Sequence, residues 1–124
     1  MGSKTIAVPN ASRKFITDFV TKRLDGRCDE EVIDNLKLCI GETCQNIVRH
    51  STDKVAYVTV DCDKHGLTVE IADKGPGFDI ANLPLLELGQ IGGYGVNIIR
   101  THFGDDAVKS VIGEGTTVTL KVTF

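Results

Sequence analysis

Apolar positions recur with two different spacings along the chain, and the changes of spacing divide it into elements. "KTIAV" (Lys4 to Val8) alternates and stops at Pro9, the pattern of a short strand. In "NASRKFITDFVTKRL", Phe15, Ile16, Phe19, Val20 and Leu24 recur at helical spacing, with Asn10 or Ser12 available as the cap and Gly26 as the stop. A second, longer helical pattern runs through "CDEEVIDNLKLCIGETCQNIVRHS", with Asp29 placed to cap it and acids in its first turn. "KVAYVTVDCD" and "GLTVEIAD" then alternate as two strands around a turn at Lys64-His65-Gly66. After an irregular stretch, "GYGVNIIRTHFG" reads as a third helix opened and closed by glycine. "DAVKSVIG" and "GTTVTLKVTF" read as a last hairpin across Gly113-Glu114-Gly115.

The predicted order is β-α-α-β-β-loop-α-β-β. Strands joined by tight turns pair antiparallel, and three amphipathic helices can cover one face of such a sheet. The expected architecture is therefore α+β: a two-layer sandwich with a mixed, mostly antiparallel sheet under three helices. The absence of alternating βαβ units argues against a doubly wound fold. With 124 residues, the chain has the length of one domain, 1–124.

Two groups of polar and glycine residues do not fit a purely structural pattern. On the second helix Val32, Leu36, Cys39, Ile40, Thr43 and Ile47 form an apolar stripe. Glu42, Asn46 and His50, spaced i, i+4, i+8, line its edge. Such spacing is common by itself, but a carboxylate beside the core needs a partner or a ligand. The second group starts at "EIADKGPGFD", where a buried strand ends on Asp73 and breaks into Gly75-Pro76-Gly77. Read alone, this is a turn; read as a site, Asp73 points into a cleft and the glycines let a flat ligand approach the backbone. Gly89, Gly92, Gly93 and Gly95 then lead into a helix, whose bare N–H groups favour an anion such as phosphate.

Composition narrows the classes. The 41% apolar and 25% charged fractions are those of a globular protein, and a net charge of -3 makes nucleic acid a poor partner. No apolar run nears the roughly 20 residues of a membrane helix, and no hydrophobic leader opens the chain. Cys28, Cys39, Cys44 and Cys62 form no CxxC pair, and the histidines have no metal-binding spacing, so the cysteines read as small packing residues in a reducing, cytoplasmic setting.

Taken in order, these segments resemble the ATPase domain shared by gyrase, MutL, sensor histidine kinases and a heat-shock chaperone (the GHKL superfamily, with its Bergerat ATP-binding fold). Within it, the chain is most similar to stand-alone anti-sigma-factor serine/threonine kinases. The family's E-x-x-x-N-x-x-x-H corresponds to "ETCQNIVRH", its D-x-G-x-G-F to "DKGPGF", its G-x-G before a helix to "GGYGVNII", and its terminal G-T to "GTTVTL". Each motif is weak alone; four in order over nearly the whole chain are specific.

The resemblance implies ATP or ADP with Mg²⁺ as cofactors and assigns roles. Asp73 accepts from the adenine amino group, supported by Thr117 or its neighbour Thr116. Asn46 holds the Mg²⁺, and Glu42 is the general base. Gly92, Gly93, Tyr94, Gly95 and Val96 form the phosphate-binding turn, while Gly75 and Gly77 give clearance for the base. It also implies a small antagonist protein and a sigma factor as partners, and a homodimer through the sheet edge and first helix.

One segment departs from the pattern. The lid, "DIANLPLLELGQI", has Asp79 and Glu87 as its only charged residues, where related kinases place Lys or Arg. A cation for the γ-phosphate would have to come from Arg49, Arg100 or a partner. Leu83, Leu85, Leu86 and Leu88 either pack the lid on the sheet or form a protein-contact surface. Two readings therefore stand: a serine/threonine kinase acting on an antagonist protein, or a nucleotide-gated binding module with little or no transfer.

Overall fold

A computed structural model describes residues 4–78 and 93–124. The element order follows the apolar pattern. Strand β1 (Lys4–Val8) leads through a short 3-10 turn at Pro9–Ala11 to helix α1 (Arg13–Thr21) and helix α2 (Glu30–His50). Strands β2 (Ala56–Cys62) and β3 (Gly66–Ala72) follow, then α3 (Gly93–Phe103), β4 (Val108–Val111) and β5 (Gly115–Thr123). The lid segment and Gly92 lie outside the described residues.

The strands form one sheet in the order β1-β2-β3-β5-β4. All four described ladders are antiparallel, which corrects the expectation of a mixed sheet: tight turns join β2 to β3 and β4 to β5, and the other two pairings also run antiparallel. In the β2–β3 turn, the Asp63 carboxylate accepts from the N–H groups of His65 and Gly66. Those bonds hold its pKa below the usual carboxylate value.

Register separates the two faces. Ile6, Val58, Ile71, Val118 and Val108 lie side by side across all five strands, as do Val60, Val69 and Leu120 across three. Most of these side chains are buried, and the helices pack on this face, α2 against β5 and α3 against β4. The intervening rows, such as Thr5-Thr59-Glu70-Thr119 and Ala7-Tyr57-Ala72-Thr117-Lys109, are polar or small and form the other face.

Between layers, α2 fills the centre through Leu36, Cys39, Ile40 and Ile47, and α1 adds Ile16 and Val20. Ser12 caps α1 by accepting from Phe15 N–H at 3.3 Å. Phe15 itself is 49% exposed and stacks on Phe19 outside the core, with Arg23 over the Phe19 ring. The helix is narrower in its buried stripe than its aromatic content suggests, because Ile16 and Val20 are its buried side chains and Leu24 is buried in the turn that follows.

Candidate functional site

The alternation that builds the apolar face continues past it into polar residues. Asp73 stands two residues after Ile71, Thr116 two before Val118, and Ser110 two after Val108, so all three extend the helix-covered face at one end of the sheet. Asp73 N–H donates to the Thr116 carbonyl at 2.9 Å, which extends the β3–β5 ladder by one step. Ser110 pairs with Thr116 across β4 and β5, and their hydroxyl oxygens are 2.8 Å apart.

The turn after Asp73 is tied down at several points. Gly75 N–H donates to Asp73 Oδ1 at 2.7 Å, Gly113 N–H to the Pro76 carbonyl at 2.7 Å, and Phe78 N–H to Ser110 Oγ at 2.9 Å. Gly77 has φ +66°, and a Cβ there would run into the Val111 carbonyl oxygen. Gly75 is buried against the end of α2, where a Cβ would meet Ser51 Cα at 3.3 Å and the His50 carbonyl at 3.4 Å. Gly77 is thus required by main-chain atoms packed against it, whereas at Gly75 the atom nearest to a Cβ is Asp73 Oδ1, at 2.9 Å. The fold of the turn therefore needs glycine at 77 on its own account. The α2–β2 connection behind Gly75 is fixed by Asp53, whose carboxylate takes Val55 N–H and the Ser51 hydroxyl. These bonds, led by the backbone one, lower the Asp53 pKa.

The opposite wall belongs to α2. Thr43, Asn46 and His50 occur at i, i+3, i+7 on one side of that helix and line the same cavity as Asp73, Gly77 and Thr116. The cavity has a volume of about 190 Å³, and Ile71, Val96, Ile99, Val108 and Val118 make the rest of its lining largely apolar. A slot with apolar walls and a carboxylate and hydroxyl at one end suits a flat heteroaromatic ring with a hydrogen-bonding edge.

Glu42 sits outside this lining, one helical turn before Asn46, against the first turn of α3. Its Oε2 lies 2.7 Å from where a Cβ on Gly95 would stand, and Asn46 Nδ2 lies 3.6 Å from the same point. A carboxylate and an amide therefore converge on the N-terminal end of a helix, beside the cavity.

Of the residues singled out in the sequence, Asn46, Asp73, Gly77, Val96 and Thr116 meet at one cavity. Gly75 and Gly95 pack directly behind or beside it, and Gly93 and Tyr94 open α3. Thr117 is separated from the group: it stands in the open-face row between Ala72 and Lys109, so Thr116 is the threonine at the cavity. Arg49 is exposed on α2, and Arg100 contacts Asp105 at 3.5 Å; neither lines the cavity. Sequence reading missed Ser110, whose only signal is the register of the last hairpin. It also gave Thr43 to the core; Thr43 is buried, donates to the Cys39 carbonyl at 2.8 Å, and still lines the cavity.

A sequence model described as the histidine kinase-like ATPase domain matches residues 5–122 of the chain. The chain belongs to that family. No curated protein sequence matches it. The fold of this histidine kinase-like ATPase domain is also similar to that of the Acinetobacter baumannii histidine kinase AdeS, with a TM-score of 0.55 at 13% identity, over 99% of this chain and 68% of that one. At that identity the likeness concerns the fold, which agrees with the α+β sandwich derived from the sequence. No helix among the described residues of the domain is long and apolar enough to cross a membrane.

The domain's polar groups can be tested against a magnesium ion. Among the described residues no cluster of three or more His, Cys, Asp or Glu side chains forms a cage. Mg²⁺ needs none, since it commonly takes one or two protein oxygens and completes its shell with waters and substrate phosphates. Asn46, at the cavity and beside Glu42 and the start of α3, fits that kind of site.

Proposed function

We propose that the chain binds ATP together with Mg²⁺ and transfers the γ-phosphoryl group to a serine or threonine of a small antagonist protein, in the manner of anti-sigma-factor kinases. The observation that carries this reading is the single cavity shared by Asn46 of α2 and Asp73 at the end of β3, next to the N-terminus of α3.

The apolar walls hold the purine, and Asp73 accepts from its 6-amino group. With Oδ1 engaged by Gly75 N–H, Asp73 Oδ2 is the oxygen left for that contact. Guanine presents a carbonyl oxygen at this position, and two acceptors facing each other disfavour it. The first N–H groups of α3 and the positive end of its dipole face the phosphates. Asn46 is the protein ligand for Mg²⁺, which neutralises phosphate charge when bound. That matters in a chain of net charge -3 with Glu42 beside the phosphate end. Glu42 takes the proton of the attacking hydroxyl; the new O–P bond forms as the bond to the β-phosphate oxygen breaks, and ADP departs with that electron pair.

Thermal unfolding with Mg²⁺ and ATP, ADP or GTP tests the binding step. ATP or ADP at 100 times its dissociation constant should add about 2.7 kcal/mol. An equal shift with GTP contradicts the role given to Asp73. For the chemical step, γ-labelled ATP should label a partner protein with the wild type. Glu42→Gln should abolish labelling while leaving ATP affinity within about twofold.

The lid sequence favours a second reading. Residues 79–91 contain no Lys or Arg, and in phosphoryl transfer such a cation is worth about 10³-fold or more. Under this reading nucleotide binding sets a surface that grips a partner and little phosphate moves. Nucleotide-dependent partner binding without label transfer decides for it.

A further inference from the structure

We infer that Ser110 is a positioning residue for purine recognition: its hydroxyl directs the Thr116 proton into the cavity, so that Thr116 and Asp73 present a donor beside an acceptor. This deepens the nucleotide-binding reading and rests on it.

The hydrogen bonds around Ser110 Oγ carry this assignment. A serine hydroxyl has one proton and two acceptor positions. Ser110 Oγ accepts from Phe78 N–H at 2.9 Å, which uses one. Two oxygens remain around it, Thr116 Oγ1 at 2.8 Å and the Gly115 carbonyl at 3.3 Å. The first is an ideal O–H···O length, whereas the second lies beyond the usual range. If Ser110 gives its proton to Thr116 Oγ1, the Thr116 proton is released to point elsewhere. Thr116 lines the cavity and Asp73 N–H is bonded to its carbonyl, so the released proton is available beside the Asp73 carboxylate.

The resulting acceptor-donor pair has a chemical complement. The 6-amino group and N1 of adenine form a donor-acceptor edge, whereas the O6 and N1–H of guanine or hypoxanthine form the reverse. Thr116 O–H addresses N1, directly or through a water. Replacing the Ser110 hydroxyl removes the proton that orients Thr116. The Thr116 hydroxyl then loses its bias toward donating into the cavity.

The experiment compares ATP with 1-deaza-ATP, which has C–H in place of N1 and retains the 6-amino group. Affinities are measured by calorimetry with Mg²⁺ for wild type, Ser110→Ala and Ser110→Thr. Wild type is expected to prefer ATP by about three- to tenfold, the worth of one neutral hydrogen bond. Ser110→Ala should lose that preference, with affinity for 1-deaza-ATP nearly unchanged, and Ser110→Thr should restore it. If Ser110→Ala weakens both nucleotides equally, the serine only anchors the turn through Phe78, and the inference fails while nucleotide binding stands. A wild type that binds ATP without preferring it to 1-deaza-ATP also overturns the inference. A wild type that binds neither nucleotide overturns both.

Discussion

Glu42 and Gly95 meet across the α2–α3 contact, with Oε2 of the glutamate 2.7 Å from the point a Gly95 side chain would occupy. Glycine at 95 therefore makes room for the carboxylate at the head of α3. In Gly95→Ala the new methyl must displace a flexible side-chain end, so the cost in stability is small, below about 1 kcal/mol. The carboxylate, however, moves away from its place. The expected outcome is a drop in phosphoryl transfer of about 10²-fold with a much smaller change in ATP affinity. Single-turnover transfer and equilibrium binding, measured on the same variant, check it. Equal losses in both would place Glu42 in nucleotide binding.

Asp73→Asn keeps an oxygen that can accept from Gly75 N–H at the position of Oδ1, so the turn should survive. The change replaces the free carboxylate oxygen with an amide N–H₂, which faces the 6-amino group donor to donor. ATP affinity should fall by about tenfold or more, and the margin over GTP should narrow. Competition binding of ATP and GTP, with a melting curve to verify folding, provides the measurement. An unchanged ATP to GTP ratio would remove Asp73 from base recognition.

Much of this arrangement was legible in the sequence for one reason: strand residues alternate. Once Ile71 and Val118 are assigned inward, Asp73 and Thr116 follow on the same face, and the i, i+4 spacing of Glu42 and Asn46 aligns them along α2. The choice between Thr116 and Thr117 turned on parity, which the motif alone leaves open by one residue. Ser110 was invisible because its role depends on cross-strand register with Thr116 and on a bond from Phe78, and neither has a local signature. Phe15 misled because helical spacing predicts a face, whereas the depth of burial depends on what packs there. The reason for Gly75 and Gly77 was also hidden. At Gly77 the main-chain atoms that exclude a Cβ come from the β4–β5 hairpin, distant in sequence, and at Gly75 the Asp73 carboxylate is nearest, with the end of α2 behind it.

Two glycines in the left-handed region allow that packing effect to be isolated. Gly26 has φ +71° with nothing near a hypothetical Cβ, whereas Gly77 has φ +66° with the Val111 carbonyl directly in the way and the Gly115 carbonyl at 3.2 Å. Gly26→Ala should cost only backbone strain, about 1 kcal/mol. Gly77→Ala adds a clash with main-chain atoms that cannot swing aside, for a total of about 2–4 kcal/mol. It should also pull Phe78 N–H off Ser110 and weaken ATP binding. Urea unfolding of the two variants gives the comparison, and similar midpoints for both would show that the Gly77 turn relaxes.

The cysteines provide a separate probe of the core. All four are free thiols, Cys39 and Cys44 buried and Cys28 and Cys62 half-buried. Burial pushes the thiols of Cys39 and Cys44 up from 9.0 to about 11. Burial, and then Asp29, also raise the Cys28 thiol. A folded-state value above the unfolded one means that the native state holds these protons more tightly. Their contribution to stability is thus intact below 9.0 and is lost as pH rises from there toward about 11. At pH 8 a disulfide reagent should modify Cys62 and, more slowly, Cys28, and leave Cys39 and Cys44 unmodified until the protein unfolds. The stability curve should fall off on the alkaline side, and Cys39→Ala with Cys44→Ala should flatten that limb while lowering stability at neutral pH through the cavities left behind. Rapid native-state labelling of all four thiols would mean that α2 does not pack against the sheet as described.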